Sequence, residues 1–211
     1  MPLIKGKSNQ PNDETTGREA GQADIAAAMS GGTVDERWAA VRAAANVPAG
    51  LDILRHALTT ETVSRVREAI FTALARIGTP ASAAVVAAYV GSDDPEMRTG
   101  ALDALRAMPE ATARHLPDLL RDSDPDVRLL ACELVRNQPT EAANELLSSL
   151  LADEMQANVC AAAVEVLAEI GDHAILPVLQ GCAARFPDDP FLAFAIGLAS
   201  DRIGSQASCR G

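Results

Sequence analysis

The sequence predicts an all-α fold, an α-α superhelix in which about six helical hairpins stack as a solenoid. Three observations predict it. Aromatic residues are only 3 % of the 211 residues, whereas alanine alone contributes 41. Such a composition favours closely packed helices over strands, which prefer β-branched and aromatic side chains. Similar segments also recur: ERWAAVRAAA from Glu36, VREAIFTALARIG from Val66, MRTGALDALRAM from Met97, VRLLACELVRN from Val127 and VCAAAVEVLAEIG from Val159, in steps of 30, 31, 30 and 32 residues, with a weaker copy, LAFAIGLASDRIG, from Leu192 a further 33 on. A near-constant step of this size marks a solenoid. Finally, apolar residues inside each segment fall three and four apart, as on one helical stripe. The second copy shows this with Val66, Ala69, Ile70, Ala73, Leu74 and Ile77.

Each element follows in order. Residues 1–21 are polar and aperiodic, and read as a disordered N-terminal tail. Its one apolar cluster, Pro2, Leu3 and Ile4, is either part of a frayed end or a short docking peptide. The repeat domain spans residues 22–204, and residues 205–211 form a second tail. A short opening helix is expected at Asp24–Met29, ended by Gly31-Gly32, with its partner starting near Val34. The first helices of later hairpins are expected at Ala49–Leu58, Ala81–Val90, Ala111–Arg121, Glu141–Ala152 and His173–Arg185. The recurring segments supply the second helices. Asp94-Pro95 and Asp124-Pro125 place an N-capping carboxylate before a first-turn proline. Pro177 lies inside the last first helix and should kink it.

Composition also excludes function classes. The 18 Lys plus Arg against 29 Asp plus Glu give a formal charge of −11. Nucleic acids and anionic membranes are polyanions that attract basic patches, so neither is an expected target. No run of apolar residues is long enough to span a bilayer. Lys5 and Lys7 are followed by no apolar stretch, so the start is not read as a secretory signal. Cys132, Cys160, Cys182 and Cys209 have no CxxC spacing, which fits free thiols and a cytoplasmic location. Cys132 and Cys160 lie on adjacent second helices, and at roughly 8–10 Å between axes they are too far apart to bridge.

Catalytic constellations are not visible. His56, His115 and His173 lie two units apart each, roughly 20 Å on the spacing of stacked helices, and cannot share one metal. There is no glycine-rich phosphate loop and no nucleophile paired with a histidine in the repeat frame. No metal, cofactor or catalytic residue is expected, and the chain reads as non-enzymatic.

At Asp122–Ala131 the sequence DSDPDVRLLA, its variant SDDPEMRTGA at Ser92–Ala101, and the endings at Ala73–Gly78 and Val166–Gly171 resemble the HEAT-repeat superfamily. The resemblance is to the short, bacterial-type form called phycobilisome-lyase HEAT-like repeats, and it covers roughly Asp24 to Gly204. It implies a right-handed solenoid whose second helices line the concave side. It also implies a structural ladder, in which Arg37, Arg67, Arg98 and Arg128 pair with an Asp of the preceding turn. Cys160 and Ala193 depart from that column, which implies that the ladder stops there. Two related enzyme classes are set aside: the chain lacks the His-Glu pairs of deoxyhypusine hydroxylases and the basic, aromatic face of DNA glycosylases.

If second helices line the concave side, repeat positions define columns along it. One reads Trp38, Glu68, Thr99, Leu129, Ala161; a second reads Val41, Phe71, Leu102, Cys132, Val164; a third reads Arg42, Thr72, Asp103, Glu133, Glu165; Arg106 and Arg136 stand at the outer edge. The second column is either inter-helix packing or the apolar floor of a groove, and the third is either a solvated face or an acidic wall. The candidate partner-binding set is therefore Trp38, Phe71, Leu102, Asp103, Arg106, Glu133, Arg136 and Glu165. The expected partner is a protein, presenting a peptide or helix with basic and apolar anchors. The expected function is an adaptor or scaffold. The resemblance implies one alternative, a bilin lyase subunit or bilin chaperone acting on a phycobiliprotein. A signalling regulator that sequesters a response protein is a third possibility.

Overall fold

A computed structural model describes the backbone of residues 12–208 and the side chains of residues 21–205. The cluster Pro2, Leu3, Ile4 and the first eleven residues of the expected tail lie outside the described residues, as does Cys209. Among the described residues there are thirteen α-helices, one 3-10 turn and no strand, the all-α hairpin repeat that the periodicity predicts. The chain divides into two compact units, Met1–Ile77 and Gly78–Gly211.

The first unit holds α1 (Asn12–Gly31), α2 (Val34–Ala44), α3 (Gly50–Thr60) and α4 (Ser64–Ile77). Helix α1 is longer than the opening helix expected at Asp24–Met29, and it takes in residues 12–21 of the segment read as a tail. Helix α2 starts at a capping box: Thr33 Oγ1 accepts from the Glu36 amide, and Glu36 Oε2 accepts from the Thr33 amide at 2.7 Å. Helices α2 and α4 pack side by side, with α3 against both. Gly50 opens α3 where the carbonyl of Ala44 at the end of α2 comes so near that no Cβ fits between them. The core is the predicted stripe: Val66, Ile70, Ala73 and Leu74 of α4 meet Val41 and Ala44 of α2 and Leu54 and Leu58 of α3.

The second unit runs α5 (Pro80–Ala87), α6 (Pro95–Arg106), α7 (Pro109–Thr112), α8 (Leu116–Leu119), α9 (Pro125–Val135), α10 (Thr140–Asp153), α11 (Ala157–Ile170), a 3-10 turn (His173–Ile175), α12 (Leu176–Arg185) and α13 (Pro190–Ser208). The second helices stack α6 on α9, α9 on α11 and α11 on α13. The expected caps form: Asp94 Oδ1 accepts from the Glu96 amide and Asp124 Oδ1 from the Asp126 amide, both at 2.9 Å, ahead of prolines in the first turn.

Two first helices differ from expectation, both at proline. The segment Ala111–Arg121 is two short helices rather than one. Pro117 has no N–H to donate, and its ring crowds the carbonyl four residues back, at Ala113, where the break falls. Pro177 does not kink a helix that began at His173. A 3-10 turn capped by Asp172 precedes it, and Pro177 sits in the first turn of α12, where its missing N–H costs nothing.

Candidate functional site

The arginine column comes first, because it fixes which charges are structural. Each arginine reaches back to the turn before its own helix: Arg67 Nε donates to Glu61 O (2.7 Å), Arg98 Nη1 to Ser92 O (2.6 Å) and Arg128 Nη1 to Asp122 O (2.8 Å), each six residues earlier. Arg37 Nη1 donates to Gly32 O at 2.8 Å. For Arg37 and Arg128 the carboxylates that take the guanidinium two-handed are not the expected aspartates of the preceding turn. They are glutamates at the end of the following hairpin's first helix. Arg37 pairs with Glu61 (2.8 and 3.2 Å) and Arg128 with Glu154 (2.7 and 2.9 Å). Burial pushes both carboxyls up, but the arginine and the backbone amides that follow outweigh it and hold Glu61 and Glu154 below the ordinary range.

The ladder does not end at Cys160. Its Sγ faces Glu154 O at 3.8 Å, the same sixth-residue-back carbonyl. The missing cation is resupplied by Arg185, at the end of α12, which donates to Leu151 O, to Ala152 O (2.9 Å) and to Glu154 O (3.5 Å). Cys132, Cys160 and Cys182 are buried free thiols. The neighbour of Cys160 is Cys182 rather than Cys132. The interaction between the two sulfurs lowers the Cys182 thiol and raises Cys160, while burial pushes Cys132 up to about 12.

The apolar column is core. Val41, Phe71, Leu102, Cys132 and Val164 are buried, with Phe71 3 % and Leu102 8 % exposed. Neither Phe71 nor Leu102 can floor a groove, because both side chains are buried. A broad helical stripe is covered from both sides in a stack, so apolar periodicity alone cannot tell floor from core.

The remaining candidates fall into two groups, one in each unit. In the first unit Trp38 and Arg42 lie one turn apart on α2, while Arg65, Glu68, Thr72 and Arg76 line the facing side of α4, beside its buried stripe. They enclose an open cleft of about 410 Å³. The Trp38 ring has the Arg42 guanidinium 4.9 Å and the Arg65 guanidinium 5.2 Å from its centre, a contact worth about 0.5–1 kcal/mol at an exposed site. Arg65 is tied to Asp35 at 3.0 Å, and Arg76 Nη2 donates to the Arg42 carbonyl at 2.8 Å. A tryptophan among three arginines and one glutamate is thus a cationic spot on an acidic chain. Trp38 and Arg42, in the first and third columns, were legible in the sequence. Arg65 and Arg76 were missed, although Asp35 and Arg65 stand one repeat step apart.

In the second unit Arg106 pairs with Asp103 at 3.1 Å. Arg136 gathers three carboxylates: Glu133 at 3.3 Å, Glu165 at 3.8 Å and Glu169. The hydrogen bond from Arg136 holds Glu169 below its ordinary pKa and in turn raises Arg136. The expected acidic wall is therefore studded with its own counter-charges. Asp103 and Glu165, with side chains 66 % and 69 % exposed, are its most accessible carboxylates.

Among the described residues no group of three His, Cys, Asp or Glu converges as a metal site, and no helix is long and apolar enough to cross a membrane. The HEAT repeats family matches residues 24–106 and 113–199. Similar solved structures include an archaeal HEAT-like repeats protein from Thermococcus onnurineus NA1 (15 % identity, 93 % of this chain and 99 % of that one, TM-score 0.46). A designed armadillo repeat protein in complex with the peptide (KR)4 is also similar (16 % identity, 85 % and 98 %, TM-score 0.43). So is the complex of CpcE and CpcF of phycocyanin lyase from Nostoc sp. PCC7120 (17 % identity, 96 % and 98 %, TM-score 0.37). No curated protein matches the chain.

Proposed function

The chain belongs to the HEAT-repeat family, and on that premise we propose that it is a non-enzymatic adaptor that binds a partner protein on the face built from its second helices. The observation that carries the reading is the Trp38 cleft. Tryptophan and arginine are the side chains most often found at binding hot spots. Trp38 is the chain's one tryptophan, it is half-exposed, and it is held between two guanidinium groups with no core to fill. Such a cleft takes an aromatic or apolar anchor against the ring and a carboxylate against Arg42. The basic anchors expected of the partner suit Asp103 and Glu165 in the second unit, and Arg106, Glu133 and Arg136 frame them. Three buried reduced thiols suit a reducing cytoplasm.

The test is affinity capture with the full chain against a Trp38→Ala, Arg42→Glu double variant. The expected result is loss of the captured partner with far-UV circular dichroism unchanged. Retention of every partner by the variant overturns the assignment. Phe71 and Leu102 are unsuitable for this test, since truncating either opens a cavity.

The same cleft also bears on the bilin-handling alternative, because three arginines beside a flat ring suit a conjugated ligand with carboxylates. Adding a bilin to the pure protein separates the readings. A shifted visible absorbance band that vanishes in the Trp38→Ala, Arg42→Glu variant favours the bilin, and no shift removes it.

A further inference from the structure

Cys160 and Cys182 belong to helices of different rank, yet their sulfurs meet. Cys160 lies in the first turn of α11 and Cys182 in the last turn of α12. Both are 0 % exposed, and the two sulfurs stand in hydrogen-bonding contact. Cys132 is equally buried, but burial and nearby glutamates act on it rather than a second sulfur.

A cation is built into the same place. Arg185 ends α12 one turn after Cys182, and it reaches the Leu151, Ala152 and Glu154 carbonyls at the end of α10. Cys160 Sγ and Arg185 Nη2 thus share the Glu154 carbonyl, at 3.8 and 3.5 Å. The Arg185 Nε is buried and has no hydrogen-bond partner among the described residues. A buried donor left unsatisfied is costly and uncommon. Negative charge on sulfur is what this cluster lacks. The surroundings also divide the two sulfurs by role. Contact with Cys160, aided by the Arg185 guanidinium, brings Cys182 down to about 7 against its burial, while Cys160 is pushed up. The thiolate is the nucleophile in thiol oxidation, and a second thiol within contact resolves the product.

We propose that Cys160 and Cys182 are a peroxide-responsive pair, which a hydroperoxide converts into a disulfide that pins α12 to the first turn of α11. The Cys182 thiolate attacks the terminal oxygen of the hydroperoxide. The O–O bond breaks, and the leaving alkoxide or hydroxide takes up the proton that Cys182 gave up. The Cys160 sulfur then attacks the sulfenic acid on Cys182. The S–S bond forms, the S–O bond breaks, and the oxygen leaves as water with the Cys160 proton. With hydrogen peroxide, two thiols and one peroxide give one disulfide and two waters; the sulfurs lose two electrons and the peroxide gains them. Burial sets the selectivity. A neutral oxidant little larger than water enters on brief local opening of α12, a helix of only 10 residues, while larger reagents stay out. The new bond closes a loop through α11 and the 3-10 turn, so it restrains α12 and, through it, α13. The pair is independent of the Trp38 cleft, which lies in the other unit.

The test is hydrogen peroxide at neutral pH on the folded, fully reduced chain, followed by alkylation in denaturant and digestion with trypsin. One tryptic peptide, residues 137–185, carries both sulfurs, and residues 129–136 carry Cys132. The expected result is a peptide 137–185 that is two hydrogens lighter and no longer alkylated, reversed by dithiothreitol, with Cys132 still fully alkylated. The oxidised chain should melt several degrees above the reduced one. Cys160→Ser keeps a donor beside Cys182 and removes the resolving thiol. It should leave Cys182 as a sulfenic acid that dimedone, added with the denaturant, labels. In Cys182→Ser, dimedone labelling of Cys160 should be at least tenfold lower. A wild-type peptide 137–185 that keeps both thiols while peroxide oxidises Cys132 or Cys209 overturns the proposal. So does one that keeps both thiols at every peroxide concentration the fold survives, or equal dimedone labelling of the two variants.

Discussion

Glu154 shows how a single side chain can serve two helices. Its carboxylate accepts from Arg128 Nε and Nη2 and from the Met155 and Gln156 amides, all within 3.0 Å. It thereby ties α9 to the end of α10 while capping the turn into α11. Burial raises its pKa, and the four donors outweigh that and hold it below the ordinary glutamate range. A carboxyl depressed in the folded state adds stability that is fully present above its unfolded pKa and is lost as pH falls through the folded one. Glu154→Gln should therefore destabilise the protein by about 2–4 kcal/mol near neutral pH, since it leaves Arg128 half-buried and unpaired. The gap from wild type should narrow as pH falls below the ordinary glutamate range and close once the wild-type carboxylate itself protonates. Urea titrations of both proteins across that range check it, and a gap independent of pH would count against the charged pair.

Elements are decided by their ends. The second helices of the third and fourth hairpins start alike because Asp-Pro fixes both the cap and the first turn. Asp94→Ala and Asp124→Ala should each cost about 1 kcal/mol, the usual worth of an N-cap, read as a drop in melting temperature with helicity retained. A loss near zero for both would mean that the capping bonds to Glu96 and Asp126 contribute nothing measurable. First helices are less uniform. Pro117 splits one into α7 and α8, while Pro177 opens α12 after a 3-10 turn. In both places the proline sits in the first turn of the helix that follows; what differs is the connection before it, a turn at residues 113–115 ahead of α8 and a 3-10 turn capped by Asp172 ahead of α12.

At the scale of the whole molecule, stability in a repeat array is a sum over neighbours rather than one property of a single core. Two probes separate the two units without mutation. Trp38 is the chain's one tryptophan and reports the first unit, while the buried thiols Cys132, Cys160 and Cys182 report the second. In increasing urea, tryptophan fluorescence and the rate of thiol labelling should give different midpoints. Coincident midpoints would mean that the chain unfolds as one cooperative block. The proposed docking groups ask for no cooperativity between the units, since each lies within a single unit.

The sequence by itself determined the period, the helices of the second rank, their Asp-Pro starts and the arginine column, because each rests on local spacing or on capping chemistry that neighbours do not alter. Tertiary structure decided which apolar column is buried, since Phe71 and Leu102 look no different in spacing from residues that face solvent. It also decided who answers each arginine. Glu61 and Glu154 lie 24 and 26 residues from Arg37 and Arg128, and Arg185 reaches 33 residues back to replace a cation lost at position 160. Charges separated so far along the chain pair only when stacking brings their helix ends together. The exposure of Phe191, Phe194 and Leu198 has the same origin: the stripe is written in the sequence, but only packing shows that none of this chain's described elements covers it.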